Sequence, residues 1–179
     1  IVLNPSQTFS PTSIAKYFES VNRKVATETI YNYMEKIISA MIMNKAMRYD
    51  IRGKRVLTRF DKYYLTDVGF GKIKNTGFKT EIGALIENVV YNELLVRGYE
   101  VYVGKTTKGE IDFVAVKDGK KEYYQVAYLL ATEDVIEREF GAYKDIQDNY
   151  PKYVLSMDRF DFSRDGIIHQ NVIDFLMER

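Results

Sequence analysis

Two oxygen-bearing side chains are spaced to act on one hard cation: Asp112, within Gly109-Glu110-Ile111-Asp112-Phe113, and Gln125, within Tyr123-Tyr124-Gln125-Val126-Ala127. They lie 13 residues apart. A hairpin of that length brings inward-facing side chains on paired strands close enough to share Mg²⁺ through oxygen ligands. An apolar stretch upstream offers a third carboxylate, Glu87 or Glu93. A second constellation is cationic: Arg52, Lys54, Arg55 and Arg59 crowd around Gly53, where a turn would hold them against nucleic-acid phosphates. Ahead of them Tyr31, Asn32 and Lys36 are types that reach phosphates or base edges, against the repulsion of Glu28 and Glu35.

Absences narrow the chemistry further. The chain has no Cys, which excludes disulfides, Cys-ligated zinc, iron–sulfur clusters and a thiolate nucleophile. Its single histidine, His169, excludes multi-His metal sites and, without a Ser/Asp pattern around it, reads as structural. Neither G-x-x-x-x-G-K-[ST] nor G-x-G-x-x-G occurs, so nothing here cradles a nucleotide phosphate. No apolar run reaches the roughly 18 to 20 residues that cross a bilayer, and Ile1-Val2-Leu3-Asn4-Pro5 does not read as a signal peptide. The expectation is a soluble, cytoplasmic protein with no membrane partner.

The elements that must position these groups follow from periodicity. Ser10-Pro11 starts a short helix, and a second begins near Thr27 with Ile30, Met34, Ile37, Ile38 and Met41 on one apolar face, leaving Tyr31, Asn32 and Lys36 opposite. Met47 to Tyr49 and Val56 to Phe60 flank the turn at 50–55 as a hairpin. Helix, turn, helix and basic hairpin together predict a winged helix, whose second helix enters the major groove while the hairpin cations meet the backbone. The plain alternative is a packing module with a solvated turn. Glu81 to Arg97 then reads as a helix with Ile82, Leu85, Ile86, Val89 and Val90 inward, followed by strands near 99–103, 110–116 and 121–129, a helix from Thr132 and a strand at 152–157. The order is α-β-β-β-α-β, with a short strand and a helix at the end.

The net charge of +1 hides a division at the Gly/Lys-rich stretch 69–77. Residues 1–80 hold 14 Lys/Arg against 6 Asp/Glu, whereas 81–179 hold 12 against 19. A basic half suits an anionic polymer, and an acidic half suits a divalent cation or simple solvation. The expectation is a mixed α/β (α+β) chain of two domains, residues 1–76 and 77–179. Most of the 15 Tyr and 10 Phe fall in pairs such as Tyr63-Tyr64 and Tyr123-Tyr124, which read as core rather than as a stacking platform.

The second half resembles the PD-(D/E)XK nuclease fold. That resemblance implies metal binding by a helical Glu, a strand Asp and a Glu, Asp or Gln on the next strand. Glu87, Asp112 and Gln125 match, so Glu87 is preferred to Glu93. The family's lysine, two residues after the third ligand, is Ala127 here, which implies a catalytically degenerate site. Arg138, in Glu137-Arg138-Glu139, is the nearest substitute cation, able to stabilise charge but not to act as a base.

Together with Lys62-Tyr63-Tyr64-Leu65-Thr66-Asp67-Val68-Gly69, Gly83-Ala84-Leu85-Ile86-Glu87-Asn88 and Tyr153-Val154-Leu155, the motif order looks like the C-terminal region of prokaryotic AAA-type ATPases that carry a domain of unknown function. What this resemblance implies is a DNA-binding, nuclease-like portion of a longer ATPase, with ATP bound only by an upstream domain and a start at Ile1 that reads as internal. An active Mg²⁺-dependent endonuclease and a protein-interaction module docking on that ATPase domain are the competing expectations.

Overall fold

The protein is described here by a computed structural model covering residues 11–69, 82–107 and 109–178, with the side chains of all of these but 58–60. Helix α1 (Pro11–Ser20) opens on Pro11, whose missing N–H is one the first helical turn does not use. Helix α2 (Thr27–Ser39) buries Ile30 and Met34 against α1 and the hairpin that follows, and Tyr31, Asn32 and Lys36 are exposed as expected. Met41, expected on the buried face, is instead 78% exposed. The helix stops at Ser39 and Met41 takes φ of 55°, so the chain leaves the helical period before reaching it.

Strands β1 (Met43–Asp50) and β2 (Arg55–Leu65) form the basic hairpin, longer than the sequence suggested. The excess matters, because β2 continues past residue 60 and carries Lys62 and Tyr64. The hairpin is also part of a larger sheet: Arg48 to Asp50 of β1 pair in parallel with Val103 to Lys105 of β3 (Glu100–Lys105). The remaining elements are α3 (Ile82–Val96), β4 (Glu110–Lys117), β5 (Lys120–Val126), α4 (Glu133–Gly141), β6 (Lys152–Ser156), β7 (Ile168–Asn171) and α5 (Val172–Met177). They complete one seven-stranded mixed sheet in the order β2-β1-β3-β4-β5-β6-β7. The expected boundary between residues 76 and 77, and residues 70–77 of the expected linker, lie outside the described residues, while the sheet itself runs from the first half into the second.

Three apolar clusters hold these layers. Val90, Tyr91 and Leu94 of α3 and Phe175 of α5 pack with Phe113, Tyr124 and Leu155 of the sheet. Ile136 and Phe140 of α4, with Tyr143 and Ile146 just after it, pack with Ile111, Val114, Tyr123 and Val154. Ile30 and Met34 cover Met43, Tyr63 and Leu65. The α3 stripe is rotated from the one expected: Ile82 is exposed, and fully buried Asn88 stands among the apolar residues. Its carboxamide accepts the Leu65 N–H at 2.8 Å and donates to the Leu65 carbonyl at 2.7 Å, so a polar residue fastens the end of β2 to the helix.

His169 has the structural role expected of it. Its Nδ1 lies 3.4 Å from the Phe162 nitrogen and its Nε2 2.9 Å from Ser156 Oγ, and the Ser156 hydroxyl donates to Asp158 at 2.8 Å. Burial pushes the imidazole below its usual pKa.

Gly104 sits in β3 at a bulge against β4. A Cβ there would lie 2.9 Å from Val114 Cγ2 and 3.0 Å from both Ile111 Cβ and Ile51 Cδ1. The Ile111 Cβ cannot swing aside. Gly104→Ala is therefore expected to cost about 1–3 kcal/mol, read as a lower denaturant midpoint at unchanged slope. A loss below about 0.5 kcal/mol would mean that the sheet makes room.

Candidate carboxylate–lysine site

Lys62, from β2, is 8% exposed and stands among the carboxylates of other elements. Its Nζ lies 3.4 Å from Glu87 Oε1 on α3 and 3.6 Å from Glu110 Oε2 on β4. Tyr64, two residues along and therefore on the same face of β2, donates its hydroxyl to the same Glu87 oxygen at 2.8 Å. Burial alone would lower the Lys62 pKa, but Glu87, Asp112 and Glu110 together outweigh it and hold the ammonium above its usual value. Lys62 is charged at neutral pH. Glu87 lies on α3 and is engaged by two donors from β2, a strand expected to end at Phe60.

Asp112 and Gln125 also come together, in a particular way. The β4–β5 ladder ends at the pair Phe113 and Tyr124. Beyond it Asp112 N–H donates to Gln125 Oε1 at 3.2 Å, and Val126 N–H donates to Asp112 Oδ2 at 2.8 Å. Two side chains thus replace ladder bonds where β5 turns to its partner β6. Desolvation first, and the neighbouring Glu87 second, push the Asp112 carboxyl up to about 8, against the pull of Lys62 and the Val126 N–H. Both effects favour the protonated form of the carboxyl. Ala127, two residues after Gln125, is buried in the α4-side cluster beside Leu130 and Ile136.

Arg138, the expected substitute cation, turns to its neighbour on α4. It is largely exposed and pairs with buried Glu139 at 2.6 Å. Glu93 turns to Arg97 at 2.8 Å and takes no part. Arg48 closes the site's rim on Glu110 at 2.5 Å. Three carboxylates of the cluster have a cation beside them: Lys62 for Glu87, Arg48 for Glu110 and Arg138 for Glu139. Little uncompensated negative charge remains for a divalent ion, which binds hard anionic oxygens.

The donor set as arranged does not fit Mg²⁺. The Gln125 oxygen is occupied by a backbone N–H, one Asp112 oxygen by another, and one Glu87 oxygen by two donors. Among the described residues no three His, Cys, Asp or Glu side chains group to hold a metal. Lys62 was not among the residues that the sequence marked for the site. The signal was the strand-prone run Tyr63-Tyr64-Leu65 that follows Asp61 and Lys62 with no Gly or Pro to break it, which predicts a longer strand.

The expected phosphate-contacting cations Arg52, Lys54 and Arg55 are exposed at the β1–β2 tip, where Asp50 accepts the Gly53 N–H at 2.9 Å. The tip lines an open cleft of about 610 Å³ together with Thr106, Thr107 and Lys144. The Arg59 side chain lies outside the described set. No described helix is long and apolar enough to cross a membrane.

An uncharacterized protein of Haemophilus influenzae is 32% identical over 176 residues, covering 98% of this chain and 43% of that protein. An uncharacterized protein of Methanocaldococcus jannaschii is 31% identical over 135 residues, covering 73% of this chain and 29% of that protein. The chain thus spans less than half the length of the curated relatives it matches. No family model and no solved structure matches it.

Proposed function

We propose that this chain is the DNA-contacting, nuclease-like C-terminal portion of a longer, cytoplasmic AAA-type ATPase, and that it binds DNA without cutting it. One observation carries the reading: a single hairpin presents Arg52, Lys54 and Arg55 at its tip and, further along β2, places Lys62 inside the carboxylate cluster. The tip offers cations to a phosphate backbone, while the cluster beside it is internally neutralised. A winged helix formed by α1, α2 and this hairpin, joined to a PD-(D/E)XK-like unit, belongs to the same proposal, as does an upstream domain that binds ATP. The relatives' greater length supports further sequence beyond this chain.

Binding to random-sequence duplex DNA is expected to weaken as salt rises, because each phosphate contact releases counterions. Replacing Arg52, Lys54 and Arg55 with Ala should lower the slope of log affinity against log salt by roughly three units at most. An unchanged slope would move the contact elsewhere. A second reading, docking on an upstream domain, is favoured by exposed Tyr17, Val21 and Met41 on or just beyond the N-terminal helices. DNA affinity that is absent at low salt would favour it.

A further inference from the structure

We propose that the cleft between the β1–β2 tip and the second half of the chain is a seat for the phosphates of a DNA backbone, with Lys144 and Thr107 gripping the strand from the side opposite Arg52 and Lys54. The inference rests on the DNA-contacting reading and adds a second wall of contacts to it, so that the duplex lies across both halves rather than on the hairpin alone.

The cleft, of about 610 Å³, is bounded by three segments far apart in sequence. Ile51, Arg52 and Lys54 come from the hairpin tip, Thr106 and Thr107 from the β3–β4 turn, and residues 144–148 from the loop after α4. Parallel pairing of Arg48 to Asp50 with Val103 to Lys105 brings the tip and the turn to one end of the sheet. The Ile51 N–H then donates to the Lys105 carbonyl at 3.1 Å, which holds these two walls in register. The mouth is open, so a phosphate can enter while it stays part of a polymer.

The charges on the lining favour an anion. Arg52 and Lys54 are exposed and make no ion pair among the described residues. Lys144 pairs with Glu137 at 3.4 Å, but both side chains are largely exposed, so water screens that pair and it yields to a phosphate. Of the two lining carboxylates, Asp148 is already satisfied: its Oδ2 accepts the Tyr123 hydroxyl at 2.6 Å, and its Oδ1 lies 3.8 Å from Lys152 Nζ. Exposed Asp145 is the adverse charge, and it faces three cations. Thr106 Oγ1 accepts the Gly109 N–H at 2.9 Å and closes the turn, which leaves the exposed Thr107 to offer its hydroxyl to a phosphate oxygen.

Random-sequence duplex DNA is the probe, with affinity measured over a range of salt. Lys144→Ala is expected to lower the slope of log affinity against log salt by about one, the loss of one phosphate contact. Asp145→Asn removes the adverse charge and should tighten binding at low salt by roughly two- to fivefold. Lys120→Ala is the control for overall charge: Lys120 is exposed at the β4–β5 turn, the opposite end of β4 from the cleft, and its loss should leave the slope in place. A wild-type slope in Lys144→Ala, or an equal fall in Lys120→Ala, overturns the inference and leaves the hairpin contact standing. Inorganic phosphate is the second probe. Displacement of DNA no greater than that by chloride at equal ionic strength supports a backbone phosphate as the occupant, and saturable displacement overturns that assignment in favour of free phosphate. Absence of DNA binding by the wild type at low salt would remove the parent reading itself, so the two failures are separable.

Discussion

Lys62→Met should destabilise the folded chain by about 3–5 kcal/mol, the usual cost of removing one partner from a buried ion pair. The loss comes chiefly from Glu87, which would keep its charge in a site from which water is largely excluded, with only the Tyr64 hydroxyl left on Oε1. For a chain of this size the midpoint of thermal unfolding should fall by roughly 6–20 °C. The diagnostic is a double-mutant cycle. Lys62→Met/Glu87→Gln leaves neither charge unpaired and should recover most of the loss, giving a coupling energy above about 1 kcal/mol. Denaturant titration of the four proteins gives the number, and additive losses would show that Lys62 and Glu87 do not act as a pair.

Asp112→Asn should do the opposite at alkaline pH. The Asp112 carboxyl titrates at about 8 in the folded chain, against 3.8 when unfolded. As pH rises from 4 to 8 the unfolded chain therefore gives up this proton first. The contribution of Asp112 to stability is whole below the unfolded value and is lost as pH climbs through the folded one, with a slope approaching 1.4 kcal/mol per pH unit. The sum is on the order of a few kcal/mol once residual solvent contact of this part-exposed residue is allowed for. Asparagine keeps an oxygen for the Val126 N–H and cannot ionise. The difference in unfolding free energy between Asp112→Asn and the wild type should be near zero at pH 4 and should favour the variant by pH 8. A variant less stable than the wild type at pH 8 would show that the ionised carboxylate holds the site together.

The helices and most strands of this fold were legible from periodicity, because α1, α2, α3 and the strands from β3 to β6 carry apolar spacings, and Gly98 also marks the end of α3. Two things were not. Met41 looked like the next member of the α2 stripe, since spacing alone does not mark where a helix ends without a Gly or Pro to stop it. Asn88 looked like a polar interruption of the α3 stripe, whereas it satisfies the backbone at Leu65, a long-range partner that no local pattern announces. The site divides similarly. Asp112 and Gln125 were paired by their spacing and Glu87 was added by the resemblance, and the structure joins Asp112 and Gln125 through the backbone bonds that side chains make at the end of a ladder. Lys62 escaped because its charge works 25 positions away in sequence, across a sheet contact between β1 and β3 that parallel pairing creates and hydropathy does not reveal.

The central claim, a nuclease-like site that has its own cation and binds DNA without cutting it, is tested most directly by a cleavage time course. Supercoiled, linear and branched DNA would be incubated with the wild type and with Asp112→Asn in Mg²⁺ or Mn²⁺, at salt low enough for binding to be measured on the same substrates. The account predicts salt-sensitive binding by both proteins and no strand breaks above background in either. Metal-dependent breaks made by the wild type and absent with Asp112→Asn would contradict it.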